Sequence, residues 1–308
     1  SVWAGRNGLK RCQPRHATIL QVEIPMPHVQ HNLPVIPDDR ANDLHGLEVA
    51  EEADLVIFMA GNQFMVMSDL MAAFRARHPH IRQIFYETLP PKIELRQILA
   101  GGAVFRSRVI AVPPDVYTTV SPDPVAQLAA ADRVDPDRCF VYLHNRLALM
   151  VQAGNPCGIT SVHDLGRPGV RISQPNPQHE DIAEHILRMY RQAGGEDLVQ
   201  RIMTEKQQSG ETRLTTVHHR ETPQRLLNGR VDVGPVWATE VAHALREGHP
   251  LEGIAVGDAL DQHRAVHYVA CPLRTGRHPE NARAFLDFLR SGAARRIYAG
   301  YGFTPAAS

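Results

Sequence analysis

Lysine is almost missing from this chain: Lys10, Lys92 and Lys206 stand beside 30 arginines, and 33 basic residues balance 33 acidic ones. A formal net charge of zero supplies no bulk field to hold nucleic acid or an anionic membrane surface. Long apolar runs are missing too. LVIFMA, residues 55–60, is the longest, and it is far too short to span a bilayer, so no membrane insertion is expected. Cysteines are few and scattered (Cys12, Cys139, Cys157, Cys271), with no CxxC pair and no CxxCH. A zinc knuckle and a dense disulfide framework are thereby excluded, while one disulfide stays open in an oxidising compartment. There is no GxSxG elbow and no glycine-rich phosphate loop carrying lysine, so neither a nucleophile nor a cofactor is expected.

At 308 residues the chain can bury one large core or two modest ones. Seventeen histidines are many, but the same arginine-rich composition points to coding bias, so their number alone does not argue for metal. Ser1 opens the chain without an initiator methionine or a basic-then-apolar leader, which fits a removed signal peptide or a trimmed chain.

Residues 1–52 are rich in turn formers (PMPHVQHNLPVIPDD) and read as an extension, with one strand candidate at ATILQVEI. Order begins at ADLVIFMAG, a continuous apolar run suited to a strand buried on both faces. FMVMSDLMAAFRARHP follows with helical spacing and stops at proline. Strand IRQIFYE and the proline-opened, glycine-closed helix PPKIELRQILAGG repeat the pattern, as do DVYTTVS and PDPVAQLAAADRV. FVYLHNRLALMVQAGNP is one long strand or a pair. Then come a short helix at SVHDLGRP, strand VRISQP, helix PQHEDIAEHILRMYRQAG, helix TPQRLLNG and strand VDVGPVW. Strand RAVHYVACPL and helices PENARAFLDFLRS and AARRIYAGYG close the chain. Such alternation predicts an α/β fold of mainly parallel sheets with helices on both faces, and the length suits two lobes.

Ligands of such sheets collect outside the carboxyl ends of the strands. Here those ends are AGNQF, ETLPPK, TTVSPDP, QPNPQHED, VHHRETP and PVWATE, and each but the last leads into an expected helix N-terminus. VHHRETP, with five polar groups in a row, is therefore read as a wall of a cleft rather than as a solvated loop only.

The order of these motifs resembles the type II periplasmic solute-binding proteins, most closely the molybdate-binding branch. Residues 54–308 carry the resemblance: ADLVIFMAGNQF, AAFRARHP, IELRQILAGGA, NRLALMVQAGNPCGITSVHDLGRPGVRISQPNP, NGRVDVGPVW and NARAFLDFLRSGAARRIYAGYGF. It implies a periplasmic protein whose two lobes, 53–145 with 265–308 and 150–262, hinge shut on a ligand and deliver it to an ABC permease. In molybdate binders two first-lobe turns supply serine hydroxyls and N–H groups. Here Asn62 and Gln63 stand at the first turn and Pro90, Pro91 and Lys92 at the second, without serine. On the second lobe the family uses a turn matching NPQHE, a helix start matching ETP, and a tyrosine whose place Trp237 takes. These departures suggest a more highly charged or larger anion, with an apolar part that packs on Trp237.

The candidate ligand-binding residues are Asn62, Gln63, Pro91, Lys92, Thr118, Gln178, His179, Glu180, His218, His219, Arg220, Thr222 and Trp237. Each has a bland alternative. Thr222 caps the helix that Pro223 begins, Trp237 packs in a core, Lys92 lies exposed at a helix start, and Arg220 pairs with Glu221. HEDIAEH does not make a zinc-hydrolase helix, because its histidines are six apart and diverge by about 240°. Cys12, His16, His28 and His31 match no zinc spacing. No metal site is expected.

Three function classes remain. The first is a periplasmic receptor for a small oxyanion or small organic anion. The second is a periplasmic sensor on the same fold, signalling to a membrane partner. An enzyme using His219 and Glu221 has neither nucleophile nor cofactor motif behind it. The pH response separates anion from metal. An imidazolium at His218 or His219, beside Arg220 and Lys92, holds an anion better as pH falls. A transition metal on His179, Glu180 and one of the paired histidines is lost over the same interval.

Overall fold

The computed structural model describes residues 33–216 and 220–307. Trp3, Cys12, His16, the strand candidate ATILQVEI, His28, His31, His218 and His219 lie outside these residues. The described chain opens with β1 (Val35–Ile36), then β2 (Leu44–His45) between 3-10 turns at Asp38–Asp43 and Leu47–Glu52. Next come β3 (Leu55–Phe58), a 3-10 turn at Gly61–Val66, α1 (Met67–Arg77), β4 (Ile84–Glu87) and α2 (Pro91–Ala100). The hairpin β5 (Ala103–Phe105) and β6 (Arg108–Ile110) leads to β7 (Val116–Thr119), α3 (Pro122–Ala130) and β8 (Phe140–His144). The chain continues through β9 (Leu147–Gln152), β10 (Ile172–Gln174), α4 (Ile182–Gln200), α5 (Lys206–Gln208) and β11 (Thr212–Leu214). After α6 (Glu221–Leu227), β12 (Val233–Trp237), α7 (Ala238–Arg246) and β13 (Leu251–Ala255) come β14 (His267–Pro272), α8 (Pro279–Leu289), α9 (Gly292–Gly300) and β15 (Thr304–Pro305).

Two main sheets result. One has the order β15-β8-β14-β7-β3-β4-β2, the other β11-β10-β12-β9-β13, and β1-β5-β6 form a third, small sheet. β7, β3 and β4 run parallel, as do β11, β10 and β12, while β14 and β9 run against their neighbours. Period-two alternation explains why β3, covered on both faces, is apolar throughout. Leu55 and Ile57 of β3 enter the large core shared by both main sheets, and Val56 and Phe58 enter the core on the opposite face. β9 divides likewise: Leu147, Leu149 and Val151 join the large core, while Ala148 and Met150 face a third cluster.

Local signals place most helices. Proline fixes φ at the first position of α2, α3 and α8, where a missing N–H costs no helical bond. Gly194 and Gly195 interrupt α4 with non-helical angles, at the point where the helical spacing runs out. FVYLHNRLALMVQ forms a pair of strands, β8 and β9, one in each main sheet, with Asn145 and Arg146 between them. One expectation is corrected. PVWATE does lead into a helix, because α7 begins directly after Trp237. Residues 33–52 join the body: β2 pairs with β4, β1 pairs with β5, and Gly46 at φ 76° lies so near the Ile84 carbonyl that a Cβ there would collide with it. No helix among the described residues is long and apolar enough to cross a membrane.

Candidate ligand-binding cleft

Strand ends of both main sheets meet at one small cavity. Asn62, Pro90, Pro91, Val120, Glu180, Asp181, Ile182 and Trp237 line it. Each sits at or beside the start of a helix or turn. Asn62 lies in the 3-10 turn before α1, Pro90 and Pro91 cap and open α2, and Val120 precedes α3. Glu180, Asp181 and Ile182 open α4, and Trp237 caps α7. Four α-helices thus begin at one space and bring the positive ends of their dipoles to it. The space is small, about 20 Å³, room for roughly one water.

Burial sets the electrostatics. Asp181 is 4% exposed, and neither carboxylate oxygen has a hydrogen-bond partner among the described residues. Its nearest cation is the Lys92 ammonium at 3.9 Å. Desolvation outweighs that attraction and raises the Asp181 carboxyl to about 7. Lys92 spans from α2 to α4, donating to Glu184 Oε1 at 3.2 Å and to the Pro177 carbonyl at 3.5 Å. Glu180 accepts from the Thr215 hydroxyl and from Asn176 N at 3.2 Å. His185, one turn into α4, sits 5.8 Å from the Trp237 ring. Burial, helped by the charge of Arg188, lowers it to about 4, so it is neutral at ordinary pH. His179 is also lowered, by desolvation and then by Arg96, Arg40 and Lys92.

The candidate residues divide. Asn62, Pro91, Glu180 and Trp237 line the cavity, and Lys92 stands behind Asp181. Gln63 turns the other way: its Oε1 accepts from Tyr142 and Tyr298 at 2.9 and 2.7 Å, and its Nε2 donates to Thr118 Oγ1 at 3.3 Å. Thr118 also accepts from Ala60 N at 2.8 Å, so both side chains brace the first turn from behind. Thr222 shares a 2.8 Å hydrogen bond with Ser173, in a contact so close that a Cβ on Gly234 would collide with the Thr222 methyl. Gln178 is exposed on its turn. Arg220 donates to Asp43.

Of the residues that line the cavity, Val120, Asp181 and Ile182 were not among the candidates, nor was the segment around Arg40. Arg40, 3% exposed, donates to the Thr216 carbonyl at 2.9 Å, and desolvation lowers its guanidinium. Asp181 lay inside the quoted HEDIAEH, but no pattern of residue types reports how deeply a carboxylate is buried.

The hinge side is tied by a polar chain. Asn62 Nδ2 donates to the Tyr268 hydroxyl, and Asn145 Nδ2 donates to the same hydroxyl at 3.1 Å and to Thr239 Oγ1 at 2.9 Å. The cavity wall is thereby linked to the crossing between β8 and β9. Among the described residues no group of three His, Cys, Asp or Glu is placed to hold a metal ion.

Known proteins share this fold. The sulfate-binding protein SubI from Mycobacterium tuberculosis H37Rv superposes with a TM-score of 0.65 at 20% identity, covering 82% of this chain and 86% of its own. The periplasmic molybdate-binding protein of Azotobacter vinelandii gives 0.64 at 16% identity, over 82% and 100%. Iron-bound HitA from Pseudomonas aeruginosa gives 0.60 at 17%, over 80% and 83%. At these identities the likeness is one of fold, that of the two-lobed periplasmic binding proteins. Curated protein sequences give no match. A model of the bacterial extracellular solute-binding proteins matches residues 55–304, and this chain belongs to that family of binding proteins, which are not enzymes.

Proposed function

We propose that this protein captures a small anion, either an oxyanion or a small organic anion, between its lobes and hands it to an ABC permease on the periplasmic side of the membrane. The observation that carries the reading is the convergence of four α-helix N-termini and the Asn62 turn on one small cavity. A negative charge there receives N–H groups and dipoles at no reorganisation cost. Two structural neighbours, by name, bind sulfate and molybdate.

Asp181 sets a condition on that anion. An ionised carboxylate in the cavity repels it, whereas the neutral carboxyl donates a hydrogen bond to it. With the carboxyl raised to about 7, anion binding takes up a proton near neutrality, and affinity rises as pH falls through that value. The sign matches the one expected from an imidazolium, but the proton sits on a carboxyl. His185 is neutral in this range. Calorimetric titration with sulfate, molybdate, phosphate and small carboxylates at about pH 6 and about pH 8 tests the reading. A Kd in roughly the micromolar range for one of them, tighter at the lower pH, is expected. No anion binding at millimolar concentration overturns it.

A further inference from the structure

We propose that Cys139 and Cys271 form a disulfide that fastens β8 to β14 at their ends remote from the two chain crossings, and that Cys139 is the thiol through which an oxidant enters. The β14–β8 register sets Ala270 opposite Phe140, so the next position on each strand sets Cys271 opposite Cys139. Directly opposed residues of an antiparallel pair have Cβ atoms about 4.5–5.5 Å apart, close enough for small side-chain shifts to bring the sulfurs to bonding distance.

The two thiols differ in access. Cys271 is fully buried in the strand that also pairs with Tyr117 of β7. Cys139 is half-buried in the wall of an outer groove, beside Arg138, Phe140 and Arg290. Cys139 Sγ donates to the Asp135 carbonyl at 3.5 Å. The neighbouring Cys271 thiol holds Cys139 below the ordinary thiol value, and the proximity of Cys139 together with burial pushes Cys271 up. The more acidic, more accessible member is the attacking one. The third described cysteine, Cys157, sits between β9 and β10, strands of the other main sheet, and is not opposite either.

The oxidant is a disulfide, either a thiol–disulfide oxidoreductase or a small disulfide such as glutathione disulfide. The Cys139 thiolate attacks one sulfur of it and releases one thiolate, leaving a mixed disulfide. Cys271 then gives up its proton, attacks Cys139 Sγ and releases the second thiol. Two protein thiols are oxidised and one external disulfide is reduced to two thiols. The bond would enclose residues 140–270, which contain all five strands of the second sheet. It would clamp β8 and β14 at the ends away from the crossings, leaving the cleft side free to move.

Three measurements test this. Reduced, purified protein is exposed to glutathione disulfide, alkylated under denaturing conditions and mapped by mass spectrometry. The expected result is a 139–271 cross-linked peptide with Cys157 alkylated, and a thermal midpoint several degrees above that of the reduced form. In the Cys271→Ser variant the mixed disulfide should accumulate on Cys139, and in Cys139→Ser it should not appear on Cys271. Alkylation of both Cys139 and Cys271 after oxidation, or a cross-link from either to Cys12 or Cys157, overturns the proposal. Anion affinity is measured on both redox forms. Loss of anion binding in both leaves this result unaffected, so failure of the ligand reading is distinguishable.

Discussion

Arg220, at the start of α6, places Nη2 2.9 Å from Oδ1 of Asp43, which lies 177 residues earlier in the 3-10 turn before β2. The contact joins a helix of the second-sheet region to a segment tied to the first sheet, and Arg40 makes a parallel link to Thr216. Lys92 to Glu184 is a third.

These links tie the two sheet regions together, and their burial predicts different sizes of effect. Arg220 is 30% exposed, so Arg220→Ala should lower ligand affinity by no more than about fivefold, equivalent to ~1 kcal/mol. Arg40 is buried, and Arg40→Ala should destabilise the fold by about 2–3 kcal/mol because buried polar partners lose a donor. Thermal unfolding and calorimetric titration of the two variants check the ranking. Equal, negligible losses would contradict it.

Trp237 lines the cavity, and the other tryptophan is Trp3. In a Trp3→Phe background, indole fluorescence should change on anion binding, and Trp237→Ala should weaken binding by at least about tenfold, ~1.4 kcal/mol. An effect within about threefold, under ~1 kcal/mol, would make Trp237 a packing residue only.

Asp181→Asn replaces a titrating group by a permanent donor. The affinity of the wild-type protein should fall as pH rises from about 6 to about 8, because the carboxyl near 7 ionises against the anion. The substituted protein should lose that slope and bind more tightly than wild type at the higher pH. A slope that survives the substitution would assign the proton elsewhere, with His218 and His219 the next to test.

Glu87 is fully buried and raised by desolvation from 4.5 to about 8, with Gln97 Nε2 donating to it at 3.1 Å. The folded form therefore holds a proton that the unfolded chain has lost. Stability from this group is complete below the unfolded value near 4.5 and is lost as pH rises through about 8. Glu87→Gln should match wild type in thermal midpoint near pH ~5 and exceed it near pH ~9. Coincident curves at both pH values would refute the assignment.

The two chain crossings, at 145–146 and between β13 and β14, predict a hinge, and closure should bury the ligand. Small-angle scattering should show a smaller radius of gyration with the bound anion than without it. An unchanged profile under confirmed tight binding would count against lobe closure.

Much of the fold was legible because its signals are local. Proline before Lys92, Asp123 and Glu280 opened helices where it stands, and the run LVIF suited a strand covered on both faces, which β3 is. Most helix starts that border the cavity were legible as well, since strand ends and helix starts alternate along the chain. Which residue of each turn faces the cavity was not. Asn62 and Gln63 are neighbours of similar chemistry, yet the 3-10 turn sends one to the cavity and the other to Tyr142 and Tyr298. Arg40 and Asp43 read as part of an extension, because contacts 176 and 177 residues away leave no mark on local pattern. The sequence by itself determined the order of strands and helices, since propensity, capping and hydrophobic period act over a few residues. Only the tertiary structure decided the charge state of Asp181, Glu87 and His185, because desolvation depends on what every distant segment packs around them.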